Sequence, residues 1–476
     1  MSKFYLTTTL PYVNAEPHIG FALEIVQADV IARAQRFFGA EVFFNTGTDE
    51  HGLKIYQKAL EEGKEPQAYC DEYAAKFDAL KANLNLSYNN FIRTTDPAHI
   101  LAAQEFWQLC DKKGDIYKKN YLAKYCVGCE MEKTDSELVE GECPIHPNLA
   151  IQIIEEENYF FKFSKYQQPL LDFYAKQPDF VWPKHRQTEI TNFVKNGLQD
   201  FSISRLKNKM PWGIPVPGDE EQVMYVWFDA LINYISCLGW PDDEKKFKEF
   251  WPGVQTAGKD NLRHQTAMWQ AMLMSADLPN SSRVLIHGFI TSGGQKMSKS
   301  LGNVVNPFTL VEKFGTDAVR YYLLSEIPPF EDGDFTQEKF SLRYNADLAN
   351  GLGNLVSRVT NLIASNNIKL ELRVDGGQAL GEIKTELDNY QFNEALAKIW
   401  RNLSAVDGQI NTDKPWALAK EGKQQELAEA LSSYTSQILT AAYQLQPFLP
   451  QTAEKIIQGL TVDKIEKISN LFPRLN

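Results

Sequence analysis

Cys126 and Cys129, then Cys143 and His146, form two ligand-type pairs, each with two residues between its members, separated by a polar stretch that contains glycine. Three thiolates and an imidazole suit a tetrahedral zinc ion, and four protein ligands leave no open position, so the expected role is structural. A knuckle that packs without metal is the alternative. Two further groups point to phosphate. His18-Ile19-Gly20-Phe21 follows an apolar run over residues 4–9 and opens a helical pattern over 19–38. That places backbone N–H groups and a positive helix end where phosphate collects. Lys296-Met297-Ser298-Lys299-Ser300 follows the apolar run 284–290 and Gly293-Gly294, so two lysines sit on a glycine-hinged loop that can close over a triphosphate. Taken singly, the first group reads as helix capping and the second as a solvated loop. At two strand ends of one chain, they read as two halves of a nucleotide site.

The flanking blocks carry a resemblance. Leu10-Pro11-Tyr12-Val13-Asn14, Thr46-Gly47-Thr48-Asp49-Glu50-His51-Gly52, Tyr225-Val226-Trp227-Phe228-Asp229-Ala230, Gly258-Lys259-Asp260, His287-Gly288-Phe289 and residues 296–303 occur in this order. With the two nucleotide motifs, they resemble the class I aminoacyl-tRNA synthetases, and among these the methionyl-tRNA synthetases. The resemblance implies ATP-dependent conversion of methionine to methionyl-adenylate and transfer to the 3′ end of tRNA(Met). It implies catalytic roles for His18, Lys296 and Lys299, and ATP contacts, with Mg²⁺, from Gly20, Phe21, Asp260, His287, Lys296, Ser298 and Lys299. It also implies a methionine slot of Leu10, Tyr12, Trp227, Ala230, Tyr234, Gln265 and Trp269, with Asp49 pairing the α-ammonium, and anticodon contacts from Asn350, Asn354, Arg358 and Trp416. For Asp260, an N-cap of the following helix is the alternative role. Asn350, Asn354 and Arg358 are spaced four apart and so line one face of a helix, a polar stripe whose alternative role is a solvated face.

Two positions depart from the family pattern. Phe21 stands where a second histidine is usual, and an apolar ring cannot donate to the nucleotide. Gln265 stands where the family has a histidine, and His264 lies one residue earlier. One helical step is about 100°, so Gln265 is expected in the pocket and His264 elsewhere. The chemistry implied needs no general base, because the attacking amino-acid carboxylate is already ionised at neutral pH. Positioning and stabilisation of the growing phosphate charge carry the reaction.

The 476 residues, 43% of them apolar, allow two or three domains with ample cores. Six cysteines in such a length are no disulfide framework, and no apolar run nears the roughly 20 residues of a membrane helix, so a cytoplasmic protein is expected. The formal charge of −12 argues against an RNA partner, although lysines and arginines gather at 184–186, 205–209, 259–263 and 296–299. β-like runs at 4–9, 41–46 and 89–93 alternate with helical patterns at 19–38, 66–84 and 98–112, which predicts a parallel α/β sheet. Alternation resumes with a strand at 223–227, a helix near 260–276 and a strand at 283–290.

The expected organisation is a Rossmann-like catalytic domain (1–113 and 222–305) split by a connective insertion with a zinc knuckle (114–221). That insertion is read as short strands with a helix near 165–176. A stem-contact linker (306–340) and an all-α anticodon-binding bundle (341–476) follow. The family's C-terminal dimerising module has no counterpart before Asn476, so a monomer is expected. Two rivals remain: the cysteine-specific relative, which would bring zinc to the amino-acid pocket, and a non-catalytic tRNA-binding descendant, suggested by Phe21 and Gln265.

Overall fold

In this computed structural model all residues are described except 1, 130, 134–136, 296, 298–301, 371, 373, 470 and 476, with the backbone alone for 121–123, 131, 132 and 154. Six parallel strands form the central sheet, in the order Asn90–Arg93, Glu41–Thr48, Lys3–Thr7, Val254–Gly258, Arg283–His287, Val181–Trp182. Helices lie on its faces, which is why strand residues such as Leu6, Phe44, Ala257 and Ile286 are wholly buried. Chain order reverses between Lys3–Thr7 and Val254–Gly258. In a doubly wound sheet the crevice beyond the strand ends at such a reversal is where ligands bind.

Two sequence expectations are corrected. The strand expected at 223–227 is divided: Asp219–Met224 pairs antiparallel with Ser204–Leu206 in a separate three-stranded sheet, and Val226–Ala230 is helical. The central sheet instead takes Val254–Gly258, whose polar residues hid it from a hydrophobicity reading. Part of their hydrogen bonding is met inside the fold, where Gln255 Oε1 accepts from Ser281 Oγ at 2.9 Å. The region 114–221 is also not built only of short strands. Ile116–Cys126 and Gln152–Phe161 form a long antiparallel hairpin, with Tyr125 opposite Gln152 near the far end. The cysteine knuckle sits at that end. The helix expected there runs Gln167–Lys176, and Val181–Trp182 returns to the edge of the central sheet.

From Pro307 the chain is mostly helical, with Phe392–Asp413 and Gln424–Leu445 the longest elements at 22 residues each. A short strand the sequence did not reveal, Gly333–Phe335, pairs in parallel with Ile290–Ser292. One apolar core runs from the helix Ile19–Phe37 through Thr316–Ser325 into the bundle.

A buried polar cluster crosses that core. Asp29 and Arg320 are both fully buried, with Arg320 Nη1 2.8 Å from Asp29 Oδ2. The guanidinium also donates to the carbonyls of Phe448 at 2.7 Å, Pro447 at 3.0 Å and Leu84 at 3.1 Å. Burial pushes the Asp29 carboxyl up. The charges of Arg320 and Arg33 and hydrogen bonds from Ser87 pull it down further, and it ends below the usual carboxylate range. The stability this gives is fully present above about pH 4, the ordinary carboxylate value, and is lost as pH falls through the lower folded value. Removing one partner of a buried pair leaves an uncompensated charge, at a cost of about 3–5 kcal/mol. Arg320→Met is therefore expected to lower the urea midpoint sharply at pH 7, as followed by helical circular dichroism. An unchanged midpoint would refute the role given to this pair.

Candidate active site and metal centre

The segment after the first strand folds against the loop that follows the second. Tyr12 and Asp49 form a parallel bridge, with Asp49 N–H donating to Pro11 O at 3.0 Å and Val13 N–H to Asp49 O at 3.3 Å. Backbone pairing alone thus brings Leu10, Tyr12 and Asp49 together, although 35 or more residues separate the two segments. Tyr12 and Trp227 pack on a small cluster of Tyr125, Tyr225 and Val226. Opposite, Gln265 Nε2 donates to Tyr234 OH at 2.8 Å and to Thr9 Oγ1 at 3.3 Å, and Tyr234 meets the buried Trp269 edge-on at 6.0 Å. Ala230, 6% exposed, closes the helix Val226–Ala230.

His264 touches one of the expected slot residues from the side of a neighbouring cavity, which it lines with Phe163, Phe193, Phe201 and Met268. It stacks on Trp227 with ring centroids 3.9 Å apart and planes at 16°. His264–Met268 is π-helical rather than α-helical, and Gln265, the next residue, turns to Tyr234 and Thr9 while His264 turns to Trp227. Burial, then the nearby Arg263 charge, lowers the His264 pKa to about 3, so its ring is neutral. Gln265 Oε1, Trp227 Nε1 and Trp269 Nε1 are buried and have no hydrogen-bond partner among the described residues. These are atoms that a bound ligand or water can satisfy.

The described nucleotide-type residues His18, Gly20, Asp260 and His287 lie on the elements that flank the reversal point. His18 is the N-cap of Ile19–Phe37, its Nδ1 accepting from Gly20 N–H at 3.0 Å. A Cβ on Gly20 would lie 2.8 Å from His18 Cε1, so glycine is what admits the capping ring. Phe21 packs edge-on against Phe77 at 5.4 Å. Asp260 sits in the 3-10 turn Lys259–Asn261 and does not cap the following helix. Its Oδ1 would be 2.7 Å from a Cβ on Gly258, and the His287 ring lies over the same glycine. His287 Nε2 is 2.9 Å from Glu24 Oε2, and Glu24 Oε1 accepts from Thr9 N–H at 2.6 Å. Burial works against a charged His287 ring, and the Glu24 carboxylate more than offsets it, raising the pKa above the ordinary value. Lys296, Ser298 and Lys299 lie outside the described residues.

The sequence reading missed a polar triad between the pocket walls. Asp229, fully buried, accepts from His51 Nδ1 at 2.7 Å and from His99 Nε2 at 2.8 Å, and the other His99 nitrogen is 2.8 Å from Ser236 Oγ. Burial raises the Asp229 pKa, but the His51 charge and hydrogen bonds from both rings carry it below the usual carboxylate range. The only sequence signal was that Asp229 and His51 each lie inside a quoted block.

Cys126, Cys129, Cys143 and His146 converge, with one ligand atom from each lying within 4.8 Å of the others. Cys129 Sγ is 3.5 Å from Cys143 Sγ and 3.2 Å from His146 Nδ1. Gly128 makes room for the imidazole, since a Cβ there would be 2.5 Å from His146 Cγ. The group can hold a metal ion. In the helical region, Asn350 and Asn354 are exposed and Arg358 is half-buried, its Nη1 2.6 Å from Asp407 Oδ1. Asn350 belongs to the π-helical stretch Tyr344–Gly353 and Asn354 opens the α-helix Asn354–Asn366, so the stripe spans two helix types. Trp416 is 46% exposed at the start of Pro415–Lys420. No helix among the described residues is long and apolar enough to cross a membrane.

A family model described as tRNA synthetases class I (M) matches residues 4–152 and 147–360. The methionine–tRNA ligase of Thermosynechococcus vestitus is 44% identical over 95% of this chain and 89% of its own length. That of Thermotoga maritima is 41% identical over 97% of this chain and 76% of its own length. Among solved structures, Mycobacterium tuberculosis methionyl-tRNA synthetase in complex with methionyl-adenylate superposes with a TM-score of 0.91 at 38% identity, covering 96% of this chain and 94% of that one. The sheet topology with its reversal-point crevice, the pocket geometry and these likenesses agree, and the chain belongs to the methionyl-tRNA synthetase family of class I aminoacyl-tRNA synthetases.

Proposed function

We propose that this chain is a methionine–tRNA ligase, activating methionine with ATP to methionyl-adenylate and pyrophosphate and passing the methionyl group to the 3′ end of tRNA(Met). What supports this reading, beside the family, is Thr9, whose hydroxyl accepts from Gln265 Nε2 and whose N–H donates to Glu24, the partner of His287, so that the aromatic residues and the nucleotide-type histidine adjoin. In this reading Asp49 pairs the α-ammonium, and Leu10, Tyr12, Trp227, Ala230, Tyr234 and Trp269 enclose the thioether, a flexible and polarizable group suited to an aromatic slot. Gln265 offers a neutral amide in place of an ionisable ring. His18, Gly20, Phe21, Asp260 and His287 face ATP, and Lys296, Ser298 and Lys299 complete that side. Bound Mg²⁺ supplies charge neutralisation on the triphosphate.

The same reading assigns 1–113 and 222–305 to the catalytic domain, 114–221 to the insertion, 306–340 to the linker and 341–476 to anticodon binding by Asn350, Asn354, Arg358 and Trp416. The protein acts as a cytoplasmic monomer. The knuckle holds one structural zinc ion. Tetrahedral zinc with Zn–S bonds of about 2.3 Å places its sulfurs about 3.8 Å apart, close to the 3.5 Å between Cys129 and Cys143.

Methionine-dependent ATP–pyrophosphate exchange tests the activity directly. Exchange is expected with methionine and not with cysteine, leucine, isoleucine or valine, and a folded protein inactive with all five would overturn the reading. Arg358→Ala is expected to cost about 1–3 kcal/mol, a fall of roughly 5- to 150-fold in kcat/KM for tRNA, and to leave exchange untouched. A parallel loss of exchange would remove Arg358 from anticodon binding. The purified chain should carry one zinc ion, and Gly128→Ala, by displacing His146, should reduce the zinc measured by mass spectrometry. Full zinc content in that variant would count against His146 as a ligand.

A further inference from the structure

The strand Gly333–Phe335 and its flanking residues lie outside every site assigned above, yet they grip the nucleotide side of the crevice at several points. Gly333 N–H donates to Phe289 O at 2.8 Å, and Gly293 N–H to Phe335 O at 3.2 Å. Backbone contact is so close that a Cβ on Gly288 would sit 2.1 Å from Glu331 O. Two carboxylates fasten the join. Asp332 Oδ1 accepts from Phe289 N–H at 2.9 Å, and its two oxygens lie 2.7 and 2.6 Å from Lys259 Nζ. Asp334 Oδ1 accepts from Thr291 Oγ1 and from Gly294 N–H, both at 2.7 Å.

The held atoms neighbour functional ones. Phe289 lies two residues from His287, and Lys259 is beside Asp260. Gly294 belongs to a tight turn bridging Ser292 and Gln295, with φ of +61° at Gly293 and +76° at Gly294, and Lys296 is the next residue along. Both carboxylates hold backbone N–H groups as well as side chains, so they fix main-chain position rather than only balance charge. The Asp332 side chain is 51% exposed and that of Asp334 25%, too open for either to be a pillar of stability.

We propose that Asp332 and Asp334 are positioning residues for ATP: they set the loops bearing Asp260 and His287 and the turn at Gly293–Gln295, and have no part in holding methionine. This rests on the ligase reading above. The test is methionine-dependent ATP–pyrophosphate exchange by the full chain carrying Asp332→Ala or Asp334→Ala. Small misplacements of reacting groups cost rate steeply, so kcat/KM for ATP should fall about tenfold or more in each, while the methionine KM stays within about twofold. Asp332→Asn and Asp334→Asn keep an acceptor oxygen and should recover most of the loss. The inference is overturned if a folded alanine variant keeps wild-type kcat/KM for ATP, or if its methionine KM rises by the same factor. Should the alanine variants fail to fold, Lys259→Met opens the Asp332 contact from its other end, and it must show the same ATP-selective loss for the inference to stand. No exchange by the wild type would overturn the ligase reading; normal wild-type exchange with unaffected variants overturns this inference alone.

Discussion

A carboxylate in the middle of a buried helix constrains everything around it. Asp29 lies on the helix that begins at His18, among residues such as Val26, Val30 and Ile31 that are hardly exposed. A charge so placed is tolerable only with a partner of matching geometry. That partner, Arg320, arrives nearly three hundred residues later, and its remaining N–H groups go to carbonyls at Leu84, Pro447 and Phe448. One guanidinium therefore sets the helix Ile19–Phe37, the approach to the strand Asn90–Arg93 and the end of the bundle in one mutual arrangement. Apolar contact alone tolerates sliding. Directed N–H donors on a planar fork do not.

The same logic recurs at smaller scale inside the pocket. Its two walls come from segments far apart in sequence, the loop at Asp49 and the helix Val226–Ala230, and Asp229 ties them through His51. His99 takes the second oxygen and brings in the helix Pro97–Lys112. A slot lined with aromatic rings has little of its own to fix the spacing of its walls. A buried, fully bonded carboxylate between them supplies that definition.

The extent to which this was legible in the sequence follows from what kind of signal each part leaves. The helix Ile19–Phe37 and the strands Lys3–Thr7 and Glu41–Thr48 have strong local patterns and fell where expected. The knuckle was readable because ligand spacing is local, and the nearness of Leu10 and Tyr12 to Asp49 was legible only through resemblance. Val254–Gly258 was missed because Gln255 and Thr256 find partners only after folding. Val223–Trp227 was misplaced because an apolar run does not say which sheet it joins. The pairing of Asp229 with two histidines, and of Asp29 with Arg320, is a property of three-dimensional proximity that no spacing encodes.

The π-helical turn at His264–Met268 has a further consequence. Such a turn carries one more residue per hydrogen-bonded ring than an α-helix, so deleting one residue here would restore α geometry and rotate everything upstream by about 100° relative to Trp269. The imidazole would then turn towards the facing the amide now has, and the amide would turn away from Tyr234. At this wall the character of the pocket is written in chain length as much as in side-chain identity, and a single-codon insertion or deletion would reshape it without substituting any residue.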